Sequence, residues 1–172
     1  MINQFVLKRA IDGEVENQYI IAQRYYYGIG GEKNLAVAES WYLEAAKRGH
    51  VASMFMYAYI LLTGENGKLN VETGTKYLKK ACAKNYLNAI LMLARNYYYG
   101  FGVKRSEKMA YKLWEKGAKR GSAEAEYYLG LCYSKGIYVK PNVLKSKKHL
   151  LSALSNGFSM AQDAISDLRY AF

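Results

Sequence analysis

Large apolar residues recur along the chain three and four positions apart, the spacing of one helix face. Ile21 and Tyr25 bracket the small Ala22, and Leu93 and Tyr97 bracket Ala94 in the same way. The words RYYYG (24–28) and NYYYG (96–100) lie 72 residues apart, with ILLTG halfway between them and CYSKG a further 36 on. Gly28, Gly64, Gly100 and Gly136 therefore mark a period of 36 that runs without a gap through 15–50, 51–86, 87–122 and 123–158. Other columns keep the register. Ala22, Ala58, Ala94 and Gly130 are small, Tyr25, Leu61, Tyr97 and Tyr133 are large, and Ala45, Ala81, Gly117 and Ala153 are small again. Such a period belongs to stacked repeats, in which each unit buries its apolar face only against its neighbours.

Each unit predicts two helices. The first runs from the unit start to the residue before its glycine, where the chain needs a left-handed residue to stop. A short loop follows, and Asn34, Asn70, Ser106 or Asn142 supplies an N-cap for the second helix. That helix runs about four turns, to Gly49, Gly121 or Gly157, with Asn85 standing in once. The ends fit as half repeats. Residues 1–14 align with a second helix, placing Phe5, Ala10 and Gly13 in the columns of Trp41, Ala46 and Gly49. Residues 159–172 align with a first helix in which Asp163 and Arg169 replace the usual aromatic residues, the loss of apolar character that a solenoid cap requires. The expectation is one all-α domain, 1–172.

The runs AEAEYYLGLCYSKG (123–136) and GFGVKRSEKMAYKLWEKGAKRGS (100–122) resemble the Sel-one-like repeat, a 36-residue relative of the tetratricopeptide repeat. Leu129-Gly130, Tyr133, Gly100/Gly102/Val103, Ala38, Trp41-Tyr42, Ala45-Ala46 and Gly49 stand on the family positions. Asn or Ser replaces the usual aspartate cap, and Tyr77, Leu113 and His149 replace the tryptophan in three units, with Trp114 one residue later. The resemblance implies a right-handed superhelix of antiparallel helix pairs that binds other proteins. It implies first helices lining a concave groove, second helices on the convex side, and no catalytic residue.

Composition adds order and charge. The chain is 51% hydrophobic with a single proline, which excludes disorder. Net charge is +11, and residues 65–172 hold all of the excess, nineteen basic against eight acidic side chains. An acidic protein is the expected partner. Nucleic acid is the weaker alternative, because basic charge and aromatics occur without a base-reading motif. No signal peptide or membrane span is read, the two cysteines form no disulfide framework, and a cytoplasmic protein is expected.

GIGGEK and GENGK do not make a phosphate loop, since Leu69 follows Gly67-Lys68 and no strand precedes. His50 and His149 have no co-ligands at metal spacing, and no nucleophile–base set stands out. No cofactor, metal or catalytic residue is expected. Two candidate surfaces remain. A tyrosine-rich groove is predicted from Gln23, Tyr26, Tyr27 and Tyr59, continued by Arg95, Tyr98, Tyr99 and Lys135. Lys108, Lys112, Lys116 and Arg120, spaced by four, predict a basic stripe on a second helix. A non-catalytic interaction scaffold follows, and the resemblance implies a bacterial immunity protein or a regulator, one that binds and neutralises an acidic protein partner. An assembly adaptor or a secreted effector is the alternative.

Overall fold

The computed structural model describes residues 4–168, and every regular element among them is a helix. In chain order these are α1 (Gln4–Ile11), α2 (Val15–Tyr27), α3 (Leu35–Lys47), α4 (Val51–Thr63), α5 (Val71–Ala83), α6 (Leu87–Tyr99), α7 (Glu107–Ala118), α8 (Ala123–Lys135), α9 (Val143–Ser155) and α10 (Ala161–Asp167). The caps explain the boundaries. Asn34, Asn70, Ser106 and Asn142 each accept a backbone N–H three residues on, at 3.0, 3.0, 3.3 and 2.9 Å, which satisfies one orphan donor of the following helix. First helices stop at Gly28, Gly64 and Gly136, left-handed at φ 72°, 68° and 71°, each N–H bonding back to the carbonyl four residues earlier. After α5 the left-handed turn falls on Asn85 at φ 62°, the side chain that tolerates this region best after glycine.

The helices form two compact units, Met1–Ala89 and Ile90–Phe172, with the division inside α6. In the first unit α1 packs on α2, α2 on α3, α3 on α4 and α4 on α5; in the second α7 packs on α8, α8 on α9 and α9 on α10. The chain is thus an all-α helix-pair repeat solenoid. The first unit's core gathers Ala22, Ala38, Tyr42, Tyr57, Ile60 and Leu61, and the second ends in Leu150, Ala153, Ala161 and Ile165. One column of large side chains is fully buried, Tyr42, Leu78, Trp114 and Leu150, all at most 1% exposed. Trp114 is therefore not a displaced member of the half-buried Trp41 column but the largest side chain of the fully buried one.

Small residues set how closely the helices approach. A Cβ on Gly130 would lie 2.6 Å from Leu150 Cγ, and one on Gly74 would lie 2.7 Å from Leu62 Cγ. Ser146 uses the same contact, donating its hydroxyl to the Gly130 carbonyl at 2.8 Å. At the ends, α1 buries Ala10 and α10 buries Ala161 and Ile165, while Arg169 lies outside the described residues. Cys82 and Cys132 are buried thiols, and burial pushes the Cys132 thiol up to about 12.

Candidate functional site

Successive residues of a helix turn by about 100°, so three consecutive tyrosines must diverge. In the first unit, Tyr25 packs against the core. Tyr26 lies edge-on to the buried Tyr42 at 6.3 Å, donates its hydroxyl to the Glu65 carboxylate at 2.8 Å and has Lys33 Nζ 5.3 Å over its ring. Burial, and then the Glu65 carboxylate, hold that phenol well above its ordinary pKa. Tyr27 leans edge-on against Tyr26 at 4.8 Å and is 61% exposed. Gln23 is half-buried and donates its amide to the Tyr19 hydroxyl at 2.9 Å. Tyr59 is half-buried beside Phe55, ring centres 6.1 Å apart.

The second unit repeats the arrangement and adds to it. Tyr99 is 68% exposed and leans edge-on against Tyr98 at 4.9 Å. Tyr98 packs on Trp114 at 5.5 Å with the Arg105 guanidinium 5.9 Å over its ring, and Trp114 stacks on Tyr128 at 4.7 Å and 5°. These rings, with Tyr127, Leu131, Lys135 and Met160, wall a cavity of about 220 Å³. An adjoining hollow of about 330 Å³ shares Tyr127, Leu131, Lys135 and Met160 and reaches Asp163 and Asp167 on α10. Burial holds the phenols of Tyr127 and Tyr128 above their ordinary pKa, so both remain neutral donors at neutral pH.

Of the predicted residues in this unit, Tyr98, Tyr99 and Lys135 come together on one cavity. Arg95 is engaged elsewhere, 3.6 Å from the Glu124 carboxylate. The residues that sequence reasoning missed are Trp114, Tyr127, Tyr128, Met160 and the α10 carboxylates. The Tyr127-Tyr128 doublet was a visible signal of the same kind as the triple tyrosines. Met160 and Asp163 carried none, because only the packing of α10 brings them beside α8.

The basic stripe needs a correction at one end. Lys108 and Lys112 are exposed and Lys116 half-buried on α7, but the helix stops at Ala118. Arg120 sits in the following turn, its N–H bonding to the Gly117 carbonyl at 3.0 Å, because Gly121 at φ 79° takes the chain out of the helix. The histidines have structural partners. His50 caps α4, accepting the Ser53 N–H on Nδ1 at 3.2 Å. His149 lies 2.6 Å from Glu126 and stacks on Tyr133. Among the described residues no group of three or more His, Cys, Asp or Glu could hold a metal ion, and no helix is long and apolar enough to cross a membrane.

The Sel1 repeat model matches residues 18–50, 51–86, 87–122 and 123–158. The chain belongs to the Sel1 repeat family. Its Sel1 repeats carry the non-catalytic, protein-binding scaffold fold of that family. Chitin synthase regulatory factor 3 of Schizosaccharomyces pombe is 29% identical over 131 residues, 73% of this chain and 14% of that protein. A Sel1 repeat protein from Oxalobacter formigenes superposes with a TM-score of 0.85 at 26% identity, covering 90% of this chain and 62% of that one. A protective antigen of uropathogenic Escherichia coli with an SLR fold gives 0.89 at 24% identity, covering 96% of this chain and 35% of that one. The Sel1 repeats here thus span about a seventh of the curated relative and under two thirds of either solved chain.

Proposed function

We propose that this Sel1 repeat chain docks a partner protein through the tyrosines that end its first helices. One observation carries the reading. Tyr27 and Tyr99 are 61% and 68% exposed, yet each is braced edge-on by the preceding tyrosine. A braced aromatic ring offers large contact area with a polar tip and has little rotamer freedom left to lose on binding. Gln23, Tyr26 and Tyr59 belong to the same reading in the first unit, and Arg95, Tyr98 and Lys135 in the second. The net charge of +11 supports an acidic partner. An immunity protein that neutralises a toxin domain is the narrow form of this function, and an assembly adaptor differs from it only in the identity of what is bound.

The test is affinity capture from native lysate, followed by titration of the captured protein against the Tyr27→Ala/Tyr99→Ala variant. The expected result is a loss of about tenfold or more in affinity with helix content unchanged, the size of an interface hot spot. Unaltered affinity in a folded variant rules the docking surface out. Tight, steeply salt-dependent binding of oligonucleotides in place of a protein would move the function to nucleic acid.

A further inference from the structure

We propose that the ring-lined cavity of the second unit is a receptor for one large apolar side chain, in a partner segment bearing a carboxylate on the Lys135 side and a cation on the α10 side. This rests on the docking function above and assigns a chemistry to one part of it.

The cavity holds about 220 Å³, less than the 300–1,000 Å³ or so of a drug-sized site and matched to a single side chain. Aromatic walls could also suggest a cage for a quaternary ammonium, which needs open ring faces. One face of Trp114 is taken by Tyr128 at 4.7 Å and one face of Tyr98 by Arg105 at 5.9 Å, and Lys135 adds a positive charge to the wall. Leu131, Ile137 and the exposed Met160 complete an apolar lining. An apolar side chain next to a carboxylate suits that lining, and a cation does not.

The second end has the opposite sign. Asp163 and Asp167 lie one turn apart on α10, so they share a face, and both are exposed and line the adjoining hollow. Among the described residues neither they nor Lys135 makes an ion pair. Lys135 lines both hollows and Asp163 and Asp167 line only the second, so a segment running out of the ring-lined cavity meets a positive and then a negative wall. The unit carries fourteen basic and six acidic residues, which draws the acidic end of the segment in first. The partner is therefore not uniformly acidic at this site. It presents its apolar residue first, then a carboxylate, then a cation.

The experiment uses the full chain with Trp41→Phe, leaving Trp114 as the single indole and reporter. The probes are end-blocked peptides in which a phenylalanine is followed by three glutamates and then three lysines, in both chain directions. At least one probe should change Trp114 emission saturably, and its Phe→Gly version should not. Lys135→Glu should weaken binding about fivefold, the range of one exposed ion pair, and a probe with lysines in place of the glutamates should regain it. Asp163→Lys/Asp167→Lys should behave in mirror image with an all-glutamate probe. The proposal fails if no probe perturbs Trp114, if the glycine version binds equally well, or if the charge exchanges leave affinity unchanged in folded variants. Should any of these occur while Tyr27→Ala/Tyr99→Ala still costs about tenfold or more in affinity for the partner, the docking function stands and only this receptor is lost.

Discussion

His50 closes the N-terminus of α4 with a ring nitrogen where α3, α5, α7, α8 and α9 use an amide or hydroxyl. Nδ1 accepts the Ser53 N–H and lies 2.8 Å from the Ser53 hydroxyl, so the cap needs that nitrogen unprotonated. Burial lowers the His50 pKa below its ordinary value, against the opposing pull of Glu16. The unfolded chain therefore binds more protons than the folded one as pH falls below about 6.5. The stability this cap contributes is whole above that pH and is lost as pH falls through the folded pKa. His50→Asn, a good N-cap that does not titrate, should flatten the pH dependence of denaturant midpoint between about pH 7 and 5. An equal slope in both proteins would show that the cap is not the titrating group. The function of His50 is not legible in sequence, where only its lack of metal co-ligands can be read. A histidine cap resembles any other histidine until its backbone partner is seen.

At the scale of the helix pair, the small-residue column decides how closely a first helix meets its second. Glycine inside a helix costs about 1 kcal/mol relative to alanine, so Gly130→Ala in α8 would stabilise an exposed helix. Here the new methyl would meet Leu150 Cγ at 2.6 Å. Leu150 is wholly buried and has nowhere to move. Overpacking of that kind costs about 1–3 kcal/mol and outweighs the helix gain. A net loss up to about 2 kcal/mol is expected in chemical denaturation, and a more stable variant would show that α8 and α9 can separate freely. The Ala22/Ala58/Ala94/Gly130 column was visible in the sequence because steric exclusion leaves its mark at every repeat. The Tyr42/Leu78/Trp114/Leu150 column was harder to see, because burial accepts any large apolar shape and so leaves no single residue type to recognise.

For the whole molecule, the net charge of +11 concentrates on the second half of the sequence. Complementary charge acts mainly on the rate of encounter and is screened over about 8–10 Å at physiological salt. Raising salt from about 50 to 500 mM should slow association with the protein partner several-fold while changing dissociation less, measured by surface-immobilised kinetics. A salt-insensitive association rate would show that charge does not steer the partner. What the sequence by itself determined is the periodic part of this protein. The 36-residue unit, its capping asparagines, its left-handed glycines and the all-α solenoid follow from local rules that each repeat states again, and repetition makes weak local signals add. What only the tertiary structure decided is the part that occurs once. Helix geometry alone makes Tyr25, Tyr26 and Tyr27 diverge, but which ring is core, which is brace and which is exposed depends on the neighbours each one meets. Likewise Trp114 of α7, Tyr127 of α8 and Met160 at the start of α10 form one lining only because helix packing brings distant segments together, and such contacts leave no period to read.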